Sequence, residues 1–245
     1  MSPILLFSIL LQIACAVHAV RTGRPLYWIF ILLIGSYIAV AIYLVAEVLP
    51  GVSDSRGARR AVRSLHGRID PERGKREAAR QLELADTKDN RRRLAEQSLA
   101  AGDYQQAAEL YRSALSGIYA TDPHLMLGLA NAQFELGLPQ EARTTLDELI
   151  AANPDFRSSE GHLLYARAVE AVGDVAAALH EYEALTPGFS GEEARVRHGL
   201  LLKRCGDPDA AAALFRETLK RAQHSPRYYR REQRQWIAIA ERELG

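Results

Sequence analysis

Four glycines recur at a near-constant distance along the second half of this chain. Gly102, Gly137, Gly173 and Gly206 are separated by 35, 36 and 33 residues. Five positions after each stands an alanine (Ala107, Ala142, Ala178, Ala211), and four further on a large apolar residue (Tyr111, Leu146, Tyr182, Phe215). Seven positions before each glycine comes a small residue: Ala95, Ala130, Ala166 and Gly199. A period of this length dictates a stack of like units, each contacting only its neighbours. Within a unit the small residue lets a second helix approach the first, and the glycine permits the turn between them. The alanine and the large residue then fill the gap to the next unit. Asp103, Asp174 and Asp207 follow three of the glycines, where a carboxylate caps the second helix.

This pattern resembles the tetratricopeptide repeat, a 34-residue helix–turn–helix unit, over about residues 88–222. Pro154 closes the second unit where that family expects its proline. The first unit departs from the family in a longer exit, Ser116–Pro123, and the fourth carries Pro208 just after its turn, tolerable in a first helical turn. Ser225-Pro226 then opens a last segment in which Tyr229, Trp236, Ile237, Ile239, Ala240 and Leu244 form an apolar stripe among Arg and Glu. That is the pattern of a terminal capping helix, and it gives Trp236 a core role.

The first fifty residues are of another kind. They hold three charged side chains (Arg21, Arg24, Glu47), against 58 in residues 51–245. Residues 3–20 and 26–46 are free of charge, each about the length needed to cross a hydrocarbon core of about 30 Å. Tyr27, Trp28 and Tyr43 stand near the ends of the second stretch, where such rings favour a headgroup level. The short break Arg21–Pro25 makes the two stretches an antiparallel hairpin. Eight basic residues between Arg56 and Arg76, against two in the loop, direct both ends of the hairpin to the cytoplasm. Arg outnumbers Lys 27 to 4, a bias associated with GC-rich bacterial genomes. The expectation is a bacterial inner-membrane protein whose repeats are cytoplasmic. Residues 10–45 also resemble the two-helix module that precedes the catalytic domain of cardiolipin synthases and related phospholipase D proteins. The features shared are His18, the basic turn, Trp28, Gly35 and Ile42-Tyr43-Leu44. That family works through His-x-Lys, and none of the seven histidines here has a lysine two positions on, so the resemblance implies an anchor and no phosphatidyl transfer.

The expected architecture is therefore all-α. A transmembrane helical hairpin (1–50) leads to a basic, partly helical juxtamembrane linker (51–87), a solenoid of four repeats (88–223) and a capping helix (224–245). Charge is unevenly spread: residues 51–93 hold 13 basic and 7 acidic side chains, 94–215 hold 8 and 18, and 216–245 hold 8 and 4. The basic linker would attract anionic lipid. The acidic repeats would repel nucleic acid, which is not expected as a partner.

No catalytic constellation is recognisable. His180-Glu181 begins like a zinc-protease motif, but Ala184 stands where the second histidine belongs. There is no phosphate loop and no G-x-S-x-G, and Cys15 and Cys205 are far apart, so neither enzyme activity nor a cofactor nor a metal is expected. The chemistry of such a chain lies in the concave groove lined by the first helices of its repeats. The family's register places Arg92 and Glu96, Leu127 and Asn131, Leu163 and Arg167, and Val196 and Leu200 there, with Phe134 one turn beyond Asn131. Arg92, Asn131 and Arg167 match an arrangement that holds a peptide's C-terminal carboxylate, whereas Glu96 would repel one. A mixed apolar and polar groove for a helix or an extended segment fits these residues better. The expected function is a membrane-anchored scaffold holding a partner protein or peptide. The alternative is an assembly or regulatory factor for an envelope or lipid-metabolism enzyme, with the hairpin touching a membrane partner.

Overall fold

A computed structural model describes residues 72–245, together with the isolated positions Val17 and Arg21. The spans expected at 3–20 and 26–46, and the linker as far as Pro71, lie outside the described residues. From Glu72 to Gly245 the chain is one compact unit. The placement at a bacterial inner membrane, with both termini in the cytoplasm, must be corrected. Among the described residues no helix is long and apolar enough to cross a membrane, and none of these helices gives the chain a membrane location.

The described residues form helices and turns alone: α1 (Arg73–Leu84), α2 (Lys88–Ala100), α3 (Tyr104–Ala114), α4 (Pro123–Glu135), α5 (Pro139–Ala152), α6 (Ser159–Val172), α7 (Val175–Leu185), α8 (Glu193–Arg204), α9 (Pro208–His224), α10 (Arg227–Glu232) and α11 (Arg234–Leu244). Helices α2–α9 pair as α2/α3, α4/α5, α6/α7 and α8/α9, and each pair packs on the next. The first helices also touch one another, α2 against α4 and α4 against α6, so they line one face of the solenoid.

The repeated residues explain the pairing. Ala95, Ala130 and Ala166 have no exposed surface, nor have Ala107, Ala142 and Ala178, while Tyr111, Leu146, Tyr182 and Phe215 are at most 3% exposed. Each of the four turn glycines has a positive φ, between 78° and 95°. No atom lies within 4 Å of where a Cβ would stand on any of them, so the left-handed backbone and not crowding requires glycine there. The residue after the glycine returns its amide to the first helix: Asp103 to the Ser98 carbonyl at 2.9 Å, Leu138 to Gln133 at 3.0 Å, Asp174 to Val169 at 3.2 Å, and Asp207 to Leu202 at 3.0 Å. This closes four helix C-termini in one way. Asp103, Asp174 and Asp207 then accept from the amides of Gln106, Ala177 and Ala210, capping the second helices. The second repeat, which has no aspartate there, begins α5 with Pro139, whose missing N–H needs no partner at that position.

At Gly199 the reason for glycine is different. A Cβ there would stand 2.7 Å from Phe215 Cε1, so α8 and α9 are in contact through the glycine itself. Gly128 of α4 in the second repeat is closer still to the Tyr111 ring of the first, where a Cβ would overlap the ring.

Both ends of the solenoid are covered. Helix α1 packs on α2, with Ala78 buried and Lys75 Nζ 2.6 Å from Asp103 Oδ2. At the far end the segment read from sequence as one capping helix is two, α10 and α11, broken at Gln233. At the break Gln233 Oε1 accepts the backbone N–H of Glu192 at 3.0 Å, a long-range bond that ties the bend to the start of α8. Trp236, Ile239 and Ala240 then pack on Val196, Ala211 and Phe215. Leu244, also counted in the apolar stripe, remains 37% exposed.

Candidate interaction surface

Helix α4 projects Leu127, Asn131 and Phe134 along one face, at intervals of four and three residues. Helix α6 lies beside it. A Cβ on Gly161 would meet Leu127 Cδ1 at 3.3 Å, so the start of α6 approaches Leu127 closely because it has no side chain there. At the other end of the face the Arg167 guanidinium lies 4.5 Å over the Phe134 ring, with Nη2 3.5 Å from Glu135 Oε1. Its Nε is buried without a hydrogen-bond acceptor. Asn131, half-buried between these two contacts, makes no side-chain hydrogen bond to any described residue.

Leu127 also borders a hollow of about 430 Å³ between the second and third repeats. Its apolar wall is Leu127, Leu146, Leu149, Ile150 and Phe156, and its polar wall is Asp147, His162, Tyr165 and Glu181. These polar groups hold one another in place. Tyr165 donates its hydroxyl to Asp147 at 2.9 Å, and His162 Nε2 stands 2.8 Å from Glu181 Oε2. Burial, reinforced by the bond to Asp147, pushes the Tyr165 hydroxyl above the ordinary tyrosine pKa, so it remains a proton donor. Phe156 comes from the loop after α5 and meets the His124 ring edge-on at 5.4 Å.

The other residues read into the groove are placed differently. Arg92 is held by Glu96 one turn along its own helix, at 2.9 Å. Leu163, 7% exposed, belongs to the core with Val169, Tyr182 and Leu201. Val196 is fully buried, and Leu200 packs against it and Phe215 beneath the cap. The structure thus brings Leu127, Asn131, Phe134 and Arg167 onto one surface and buries Leu163 and Val196, while half-buried Leu200 also lines a separate depression with Glu170 and Arg197. The hollow, with Phe156, His162, Tyr165 and Glu181, was missed from sequence. The one available signal was an aromatic residue in a short loop, Pro154–Ser158, between two helical units. Among the described residues no group of three or more His, Cys, Asp or Glu could hold a metal ion.

Residues 98–168, which span this surface, match the family model of the tetratricopeptide repeat. These are tetratricopeptide-like repeats. Solved structures of such proteins share the fold. TTC0263, a thermophilic protein of this class from Thermus thermophilus, aligns with a TM-score of 0.54 and 17% identity over 68% of this chain and 87% of that one. A MamA fragment from Desulfovibrio magneticus RS-1 aligns with a TM-score of 0.54 and 17% identity over 68% of this chain and 97% of the other. YrrB, a tetratricopeptide-repeat protein with an unusual peptide-binding site, aligns at 0.50 and 17% identity over 64% and 81%. No curated protein matches the sequence. The resemblance of residues 10–45 to the cardiolipin synthase module finds no support among these matches.

Proposed function

We propose that this protein is a scaffold whose tetratricopeptide-like repeats hold a segment of a partner protein along the face of α4 and α6. The observation that carries the proposal is the joining of a hollow of about 430 Å³, apolar along one wall, to an unengaged polar side chain, Asn131, one helical turn from Leu127 on the hollow's edge. The hollow accepts one apolar side chain, and Asn131 pairs with the backbone of the segment that carries it. An amide offers both a donor and acceptors, which suits an extended peptide bond. Arg167, resting on Phe134 and paired with Glu135, holds the far end of the face rigid. Its charge is already matched by Glu135, so the occupant is a chain segment with an apolar anchor and not a free carboxylate terminus.

A photo-crosslinking amino acid at Asn131 in living cells tests this, with one at exposed Glu148 on α5 as control. The expected result is a discrete adduct from position 131 alone. Equal labelling at both positions, or none at either, refutes a binding face on α4.

A further inference from the structure

We propose that the C-terminal cap bears a second interaction surface, an arginine cluster on α10 and the start of α11 that takes a short acidic segment of a polypeptide. Arg227, Arg230, Arg231 and Arg234 are all exposed, and none forms an ion pair with a described residue. The same holds for Arg216 and Lys220 on α9. From Arg216 to Arg234 there are seven basic residues (Arg216, Lys220, Arg221, Arg227, Arg230, Arg231, Arg234) and two acidic ones (Glu217, Glu232), a difference of +5. Several cations of the repeats are instead paired: Arg91 with Asp86, Arg143 with Asp174, Arg197 with Glu193, and Lys203 with Glu243. One arginine pair on α10, 227/231, stands one helical turn apart, where like charges repel. No described residue forms an ion pair with either of them, and an anionic partner would offset that repulsion.

The cluster rests on a firm base. Tyr229, on the inner side of α10, donates to Glu192 at 2.6 Å, and Gln233 binds the Glu192 amide. Arg227 and Arg231 flank a shallow depression of about 470 Å³ whose other walls are Tyr228 and Glu232. Tyr228 is 72% exposed, an apolar platform between two cations. Glu232 is the one acid among these four lining residues, set against two arginines.

Size and surroundings favour a peptide. Alternate carboxylates on an extended chain recur at about 6.6 Å, close to the separation of about 5–6 Å between helical residues four apart. A short acidic segment therefore meets Arg227 and Arg231 together, and an aromatic or aliphatic neighbour covers Tyr228. A nucleic acid leaving so small a patch would run onto repeats carrying 18 acidic and 8 basic residues between 94 and 215.

The test is fluorescence anisotropy of the full chain against a short labelled peptide of alternating Glu and Ala with one Phe. Labelled oligothymidine and R227E/R231E, R227Q/R231Q and R59E/R60E chains serve for comparison. Peptide binding is expected at about 50 mM salt and should weaken at about 300 mM, where screening shortens. R227E/R231E should lose about tenfold or more in affinity, R227Q/R231Q less, and R59E/R60E nothing. Circular dichroism of the cap variants should match the parent. No peptide binding, binding indifferent to the cap substitutions, or tighter binding of oligothymidine overturns the proposal.

Discussion

The hydroxyl of Tyr229 donates to the carboxylate of Glu192 across 2.6 Å, joining residues 37 positions apart in the chain. Glu192 has no exposed surface. Its other oxygen accepts from Arg195 Nη1 at 2.5 Å, and the one facing Tyr229 also accepts from Arg221 Nε at 3.0 Å. One buried acid thus holds α8, α9 and the cap together. Burial, aided by this hydrogen bond, pushes the Tyr229 hydroxyl up in pKa and keeps it a donor.

Removing that acid should cost more than any other single change at the C-terminal end. Glu192→Ala leaves Arg195 buried without its partner, an expected loss of about 3–5 kcal/mol. Tyr229→Phe removes one hydrogen bond and should cost about 1–2 kcal/mol. Urea denaturation checks both; equal midpoints for Glu192→Ala and the parent chain would contradict the assigned network.

Two glycines should fail for different reasons. Gly199→Ala forces a methyl against Phe215 and should cost about 1–3 kcal/mol, recovered in part by Phe215→Leu. Gly137→Ala meets no neighbour but must hold a positive φ, about 1–2 kcal/mol that no change in packing recovers. A double-mutant cycle for Gly199 and Phe215 should show coupling, and one for Gly137 and Leu146 none.

His198 makes the fold sensitive to mild acid. Its ring is 9% exposed and stacks on Tyr182 at a centroid distance of 6.4 Å, with Nδ1 buried and unpartnered. Burial lowers its pKa from the ordinary 6.5, against a smaller opposing effect of Glu183. The unfolded chain therefore binds this proton more readily than the folded one. The contribution is fully present above pH 6.5 and is lost as pH falls through the lowered value. Thermal melts between pH 7.5 and 5 should show the decline in the parent chain and a shallower one in His198→Phe.

On the α4–α6 face, binding and stability should separate. Asn131→Ala should change stability by less than about 0.5 kcal/mol, since no described residue depends on it. Arg167→Ala forfeits the contact with Phe134, about 0.5–1 kcal/mol. Either change should weaken capture of the partner crosslinked from position 131 by about tenfold or more if it is a hot spot. Undiminished capture by both variants would move the binding face elsewhere.

The helical pairs and their turns were legible because their signals are local. The left-handed glycines, the capping aspartates and the small residue facing a large one all act within one repeat, so a period of 33 to 36 residues exposes them. The candidate surface was legible only in part. Arg167 and Phe134 come from different repeats, and their register positions bring them to one face without showing that the guanidinium covers the ring. Leu163 and Val196 occupy register positions like that of Leu127, yet the packing of later helices buries them while Leu127 borders the hollow.

By itself the sequence determined a stack of helical pairs, its acidic repeats and its basic C-terminal segment, since these follow from periodicity and composition. The tertiary structure decided which side chains stay uncovered by neighbouring helices. It also decided that Glu192, an ordinary surface residue by type, is the buried centre of the cap, and that the final helix breaks at Gln233. The physical reason is that burial and cross-repeat pairing depend on how successive pairs are rotated against one another. That rotation comes from many contacts at once and leaves no local mark in the chain.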